Sequence, residues 1–265
     1  MKKILFLLLF TPLFLIAEVH YAKVEPYNSV VLKSSVRGLV RNVILEEEGH
    51  LVRNKQIISL DDTLDKINLN SSKQSLILVK EMLSINKQVA KNLHNSFKRK
   101  ESYYHRINRL STASKTQKDN AYSGFVSTKT QYLGTKEKIV NLNKQILDMK
   151  YKISQLKDTI SKKSIILDNK YLYKLMVKEG DYVAQGSALA EIMDISRAKL
   201  VIFLEPSEVK NLENKIIYID NKKTDYIINK IWKVADKRFI SSYRAEIYIN
   251  APKDIFSKLL KFEIK

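Results

Sequence analysis

The chain has 265 residues, with 47 Lys and Arg against 28 Asp and Glu, a formal charge of +19, and no cysteine. The length admits more than one domain. The missing cysteine excludes disulfides, thiolate metal sites and a lipid-accepting cysteine behind a leader.

Met1-Lys2-Lys3 precedes a stretch that is apolar from Ile4 to Ala17 apart from Thr11 and Pro12. That is too short for a membrane-spanning helix, which needs about 20 residues. A basic start, a short apolar core and a small residue at Ala17 read as a secretory signal peptide over residues 1–17, with cleavage after Ala17. An uncleaved anchor is the alternative. Either way the remainder is exported, so no nucleic-acid partner is expected despite the charge. No later stretch has the length and apolarity to span a bilayer, so the exported part is expected to be soluble or peripheral to the membrane.

Residues 18–35 read as N-terminal strand. Over residues 36–62 comes a half-motif. Val40, Val43 and Leu45, then Ile57 and Leu60, have the alternation of half-buried strands. Between them Glu48-Gly49-x-x-Val52 suggests a turn at a glycine freed from side-chain sterics.

Residues 63–163 are different. Ile139, Leu142, Ile146, Met149, Ile153, Leu156 and Ile160 are spaced alternately three and four apart, an a/d heptad seam. The seam extends backward more weakly through Thr135, Tyr132, Thr128 and Phe125. A matching seam runs from Leu69 through Leu76, Val79, Leu83, Asn86, Ala90, Phe97, Lys100 and Tyr104 to Ile107. The polar members Asn86 and Lys100 weaken such a core but can fix its register. Between the seams, residues 111–118 have no apolar period. Ser114 or Thr116 is a candidate N-cap for the second helix, with Asp119 in its first turn. Equal arms over 64–110 and 116–162 describe an antiparallel hairpin about 70 Å long, its tip near residues 108–117. The segment holds 21 Lys and Arg against 7 Asp and Glu, a balance of +14. This is either a solvated lysine face or a surface for an acidic partner or membrane. Tyr103, Tyr122 and Tyr151 lie off the seam, either as ordinary surface aromatics or as sites of packing against further copies.

Residues 164–197 repeat the half-motif as Val177-Lys178-Glu179-Gly180-Asp181-x-Val183-x-x-Gly186-x-x-Leu189. The first half departs from it at Lys55, where the second has Gly186. Neither half has enough apolar residues to stand alone. Over 198–265, a strand through Leu204 and a short helix at Pro206 precede alternating runs at 215–219, 226–234, 244–249 and 259–264, which suggest a small β-barrel.

The motif Gly38-Leu39-Val40-x-x-Val43, Glu48-Gly49-x-x-Val52, a coiled-coil insertion, and then the second half resembles the membrane fusion protein family, the HlyD-like periplasmic adaptors of tripartite efflux pumps. The resemblance covers most of the exported chain. It implies an elongated α+β protein: a long antiparallel coiled-coil α-hairpin inserted between two halves of a biotinyl-lipoyl-like β-domain, followed by a small β-barrel domain. Gly38, Gly49, Gly180 and Gly186 then become lipoyl-like turn glycines. The hairpin replaces the short turn that bears the modified lysine in true carriers, so no cofactor is expected. The family's membrane-proximal domain has no segment to form it here.

The resemblance also implies an inner-membrane transporter, RND rather than ABC, a TolC-like outer-membrane channel, and a homo-oligomer, hexameric in the family. Family members that dock end-on carry Arg, Leu and Ser in order at the tip. Arg106 and Leu110 fit the first two, and the third falls on Ser114 or Thr116. The residues alone are also served by a capped turn in which Arg106 is solvated and Leu110 closes the seam.

Little else suggests chemistry. His94 and His105 lack a ligand partner at i+4 and read as surface histidines, no metal site is expected, and six glycines form no phosphate loop. The expectation is a non-enzymatic adaptor located in the periplasm at the inner membrane, for efflux of small toxic compounds. An adaptor for peptide or protein secretion and a stand-alone exported coiled-coil protein are the alternatives.

Overall fold

The structure, a computed structural model, describes residues 19–210, 212, 215–236, 239, 241–253 and 255–264. The expected signal segment lies outside the described residues. In chain order the elements are β1 (Val19–Lys33), β2 (Gly38–Val43), a 3-10 turn (Leu45–Glu47), β3 (Leu51–Val52), β4 (Lys55–Leu60), α1 (Thr63–Arg109) and α2 (Lys115–Lys162). After the hairpin come β5 (Ser164–Leu167), β6 (Lys170–Leu175), β7 (Tyr182–Val183), β8 (Ala188–Leu204), α3 (Pro206–Val209), β9 (Ile217–Ile219), β10 (Lys222–Thr224), β11 (Lys230–Ile231), β12 (Tyr243–Asn250) and β13 (Leu259–Ile264).

The two half-motifs fold into one another. β2 pairs with β7 as Gly38↔Val183 and Leu39↔Tyr182, and β3 pairs with β6 as Leu51↔Tyr171. Val40, Val52, Ile57 and Leu60 from the first half share a core with Leu172, Val183 and Leu189 from the second. Each half supplies one wall, which is why neither has enough apolar surface by itself.

A second core gathers Ala22 and Val24 of β1, Leu200, Ile202 and Leu204 of β8, Ile247 of β12 and Phe262 of β13. The strand path around it is β10-β9-β13-β1-β8-β12-β11. It remains open between its two end strands among the described residues, a half-barrel rather than a closed one. The run at 226–234 was expected to be a strand. Only Lys230 and Ile231 pair there, while Tyr226 and Ile228 pack on the core from irregular backbone.

Two strands serve both cores. β1 pairs with β13 at its start and with β8 over most of its length, and β8 runs unbroken from Ala188 to Leu204. The border drawn at 197/198 therefore falls inside a single strand. At the crossing, Asp194 accepts bonds from the Ser196 hydroxyl at 2.6 Å, the Ser196 N–H at 3.1 Å and Lys170 at 2.9 Å.

The hairpin seam follows the heptads. Ser72, Val79, Ala90 and Phe97 of α1 and Ala121, Leu142 and Ile146 of α2 are buried. Its polar members behave differently from expectation. Lys100 is exposed, and the Asn86 amide donates to Met82 O at 2.7 Å within its own helix, so it does not bond across the seam. His94 is not a surface histidine. It is half-buried, with its ring 5.4 Å from Phe97 and 5.2 Å from Tyr132. The distal seam is thus aromatic: Phe97 stacks on Tyr132 and Tyr104 on Phe125. Lys98, Lys129 and Lys136 sit over these rings at 5.1, 5.6 and 5.9 Å. Part of the lysine excess therefore covers the seam.

Candidate functional site

The tip is the short turn between two helices. α1 ends at Arg109, where Leu110 takes extended backbone and donates its N–H to Ile107 O at 3.1 Å. Ser114 caps α2. Its hydroxyl accepts from Gln117 N at 3.2 Å, and the Gln117 side chain accepts from Ser114 N at 2.9 Å, a reciprocal capping box. The turn therefore spans 110–114, tighter than the expected 108–117. No acidic residue occupies the first turn of α2, so Asp119 lies too far along to act on the helix start.

Arg106 and Arg109 both lie in the last turn of α1, where cations suit the helix dipole. Neither makes an ion pair among the described residues, and both are exposed. Leu110 is half exposed and joins no buried cluster. The Ser114 hydroxyl is already an acceptor in the cap. Thr116, at the second helical position, is exposed with no hydrogen bond among the described residues, so its hydroxyl is free in both roles. The tip thus presents two guanidiniums, one apolar side chain and one free hydroxyl on a turn whose backbone is pinned. Arg109 was missed in the sequence, and the signal for it was a basic residue in the last helical turn.

The root of the hairpin is as specific as its tip. β4 pairs with β5 down to Ser59↔Ser164, and Leu60 N donates to Lys163 O at 2.8 Å. The Lys163 ammonium donates to Asp61 O at 2.7 Å and to the Asp65 carboxylate. Asp61 in turn accepts from the Thr63 hydroxyl at 2.7 Å and the Thr63 N–H at 3.1 Å, while Arg41 donates to the Thr63 hydroxyl at 2.9 Å. These bonds, the Thr63 hydroxyl foremost, hold the Asp61 carboxyl below its ordinary range.

The four glycines divide. Gly49, Gly180 and Gly186 have φ of +81°, +90° and +89°, the left-handed region that penalises a Cβ. Gly38 opens β2 without a positive φ. A Cβ there would lie 3.4 Å from Leu60 Cβ and 3.8 Å from Lys163 Cε, ordinary van der Waals contacts, so Gly38 is a strand glycine packed at the root and not a turn glycine. In the first half the turn matched by Gly186 is made one residue earlier by Asn54, with φ of +41°. Asparagine tolerates that conformation better than most residues, and this was the legible sign beside Lys55.

No protein-family model and no curated protein matches the chain. Solved structures do. MacA from Actinobacillus actinomycetemcomitans superposes with a TM-score of 0.75 at 14% identity, over 94% of this chain and 78% of that one. The membrane fusion protein Spr0693 from Streptococcus pneumoniae R6 gives 0.65 at 10% identity, over 94% and 99%. A MacA-MexA chimera carrying the Pseudomonas aeruginosa MexA α-hairpin gives 0.60 at 14%, over 94% and 81%. The chain has the fold of the membrane fusion proteins. Among the described residues no helix is long and apolar enough to cross a membrane.

Proposed function

We propose that this chain is a periplasmic adaptor without chemistry of its own, linking an inner-membrane transporter to a TolC-like outer-membrane channel for efflux of small toxic compounds. The observation that carries this reading is the tip: Arg106, Leu110 and Thr116 stand exposed on a rigidly capped turn at the far end of an arm of about 70 Å. A guanidinium can bond several carbonyls of a facing helix-turn, and the leucine supplies an apolar anchor.

A homo-oligomer fits two further stripes. On α1 the exposed Leu78, Met82, Ile85 and Val89 are spaced four, three and four apart. On α2 the exposed Val126, Leu133, Val140 and Leu147 recur every seven residues. At about 100° per residue, each stripe lies more than 90° from its own seam, and the antiparallel arrangement turns them to opposite faces of the hairpin. Val79 packs with Leu142 and Ile146, so the stripes overlap in height. Opposite, level apolar faces suit head-to-tail contact between copies, which closes into a ring such as the hexamer expected from the resemblance.

The test is photo-crosslinking from position 110 in export-competent cells, beside drug susceptibility of Arg106→Asp and Leu110→Ser strains at matched protein level. Crosslinks to an outer-membrane channel and loss of resistance are expected. Full resistance in both variants, with no crosslink, would leave the tip as a capped turn. Copurification from the same cells reads the transporter class, for which the resemblance suggests RND.

A further inference from the structure

One flank of the hairpin is a ladder of lysines. On α1 Lys66, Lys73, Lys80 and Lys87 recur every seven residues, and on α2 Lys129, Lys136, Lys150 and Lys157 do the same, broken only at Asn143. All eight are exposed, and each directly follows a buried or half-buried residue, so the ladder edges the seam. The two rows meet. Lys87 and Lys136 share a groove of about 320 Å³ whose floor is Ala90, Tyr132 and Ile139 and whose rim also carries Lys91. Because the arms are antiparallel, stepping down both in heptads brings Lys73 level with Lys150 and Lys66 level with Lys157, at steps of about 10 Å.

In coiled coils such flanking positions carry the interhelical charge pairs that set partner choice. Here ammonium faces ammonium. Over residues 73–87 and 136–157 nine lysines stand against three carboxylates, a balance of +6. Those three, Glu81, Glu137 and Asp148, lie at least about 100° round their helices from the ladder. Lys66 is paired with Asp62 at 2.8 Å, and Glu101, at the outer end of the flank, is taken by Lys98 at 2.9 Å. Among the described residues Lys73, Lys80, Lys87, Lys136, Lys150 and Lys157 form no ion pair. A second copy does not neutralise them. The apolar flank of α1 that a head-to-tail neighbour presents runs through Ser75, Leu78, Met82, Ile85 and Val89, with no carboxylate. The ladder also lies about 50° round α2 from its apolar stripe, so groove and stripe are separate surfaces.

We propose that this flank seats a third helix: an acidic amphipathic helix of another protein, its apolar side on Ala90, Tyr132 and Ile139 and its carboxylates, seven residues apart, on the lysine ladder. The apolar floor and the heptad spacing single out a helix. An unstructured polyanion would use the ammonium rim alone and has no use for a regular repeat. Lys87 lies about 33 Å along the arm from Arg109, so the surface is independent of docking through the tip.

The probe is a synthetic peptide of four heptads with Leu at the core positions and Glu at both flanking positions. Its own charges keep it single, so it becomes helical only against a basic partner. Added to the full exported chain at about 0.15 M salt, it should bind one to one and gain helical circular dichroism. Lys73→Gln with Lys80→Gln and Lys150→Gln should weaken binding at least about tenfold. Lys138→Gln with Lys144→Gln and Lys152→Gln removes the same charge away from the ladder and should leave binding within about twofold. Poly-L-glutamate matched in charge, which is unstructured at neutral pH, should bind at least about tenfold more weakly. All six lysines are exposed and glutamine keeps their helix propensity, so unchanged circular dichroism of the free variants shows that the hairpin is retained. Equal weakening by the two triple variants would reduce the ladder to bulk charge. Equal binding of polyglutamate would make the partner an unstructured polyanion. Either result, or no binding of the peptide, overturns the proposal. Arg106→Asp should leave peptide binding unchanged, so this proposal and docking through the tip fail separately.

Discussion

The sheet cores and the hairpin seam use the same aliphatic residues but bury them differently. Ile57, Leu172, Leu200 and Ile247 have no exposed surface, whereas the best-buried seam residue, Leu142, keeps 3% and most of its neighbours keep more. A seam between two helices has solvent on both flanks at every level. The sheet cores are closed by strands that come from distant parts of the chain. Damage to the seam should therefore be confined to a few turns, and damage to a sheet core should spread.

The strongest challenge to that contrast is a double substitution. Leu142→Asp with Ile146→Asp places two unpartnered charges in the proximal seam. A large loss of helical circular dichroism is expected, with the sheet domains still unfolding cooperatively. Loss of both together would show that the two regions are one folding unit. Next in size, Leu172→Ala should cost about 2–5 kcal/mol in denaturant unfolding, because a closed core cannot collapse around the cavity. Ser114→Ala should cost about 1 kcal/mol or less, visible as faster amide exchange at the start of α2 and not as a change in global midpoint. The smallest effect is a pH effect. The Ser196 hydroxyl, then Lys170 and the Ser196 N–H, hold the Asp194 carboxyl down to about 2 from 3.8. A depressed folded-state value contributes stability above the ordinary pKa that is lost as pH falls toward the depressed one. Melting temperature should therefore fall between about pH 4 and pH 2, and Asp194→Asn should flatten that limb. An unchanged limb would show that the joint does not depend on this carboxylate.

The hairpin was legible as two long antiparallel arms because its information is local. Heptads repeat within one helix, and the Ser114 cap needs only Gln117 three positions on. The sheet domains were legible as motifs but not as boundaries. The unbroken course of β8 depends on pairing with β1, some 160 residues away, and no local pattern distinguishes one strand crossing two cores from two strands. His94 was misread for the same reason, since its burial depends on Tyr132 in the other arm. Lys100 and Asn86 occupy seam positions by count, yet a long side chain can leave a seam and an amide can satisfy itself on its own helix. At the tip, sequence located Arg106, Leu110, Ser114 and Thr116. Only the cap geometry separated the serine committed to the turn from the threonine that is free.

The clasp formed by Lys163, Asp61, Asp65 and Thr63 bears on aiming accuracy. An arm of about 70 Å acts as a lever, so a tilt of only about 5° at its pivot carries the far end through about 6 Å, more than the reach of a single hydrogen bond. The four-residue knot thus sets the angular tolerance of everything the arm points at. Loss of the Lys163 ammonium, which holds Asp61 and Asp65 together, would act at a distance, spoiling alignment some tens of ångströms away while leaving every contact at the far end chemically intact.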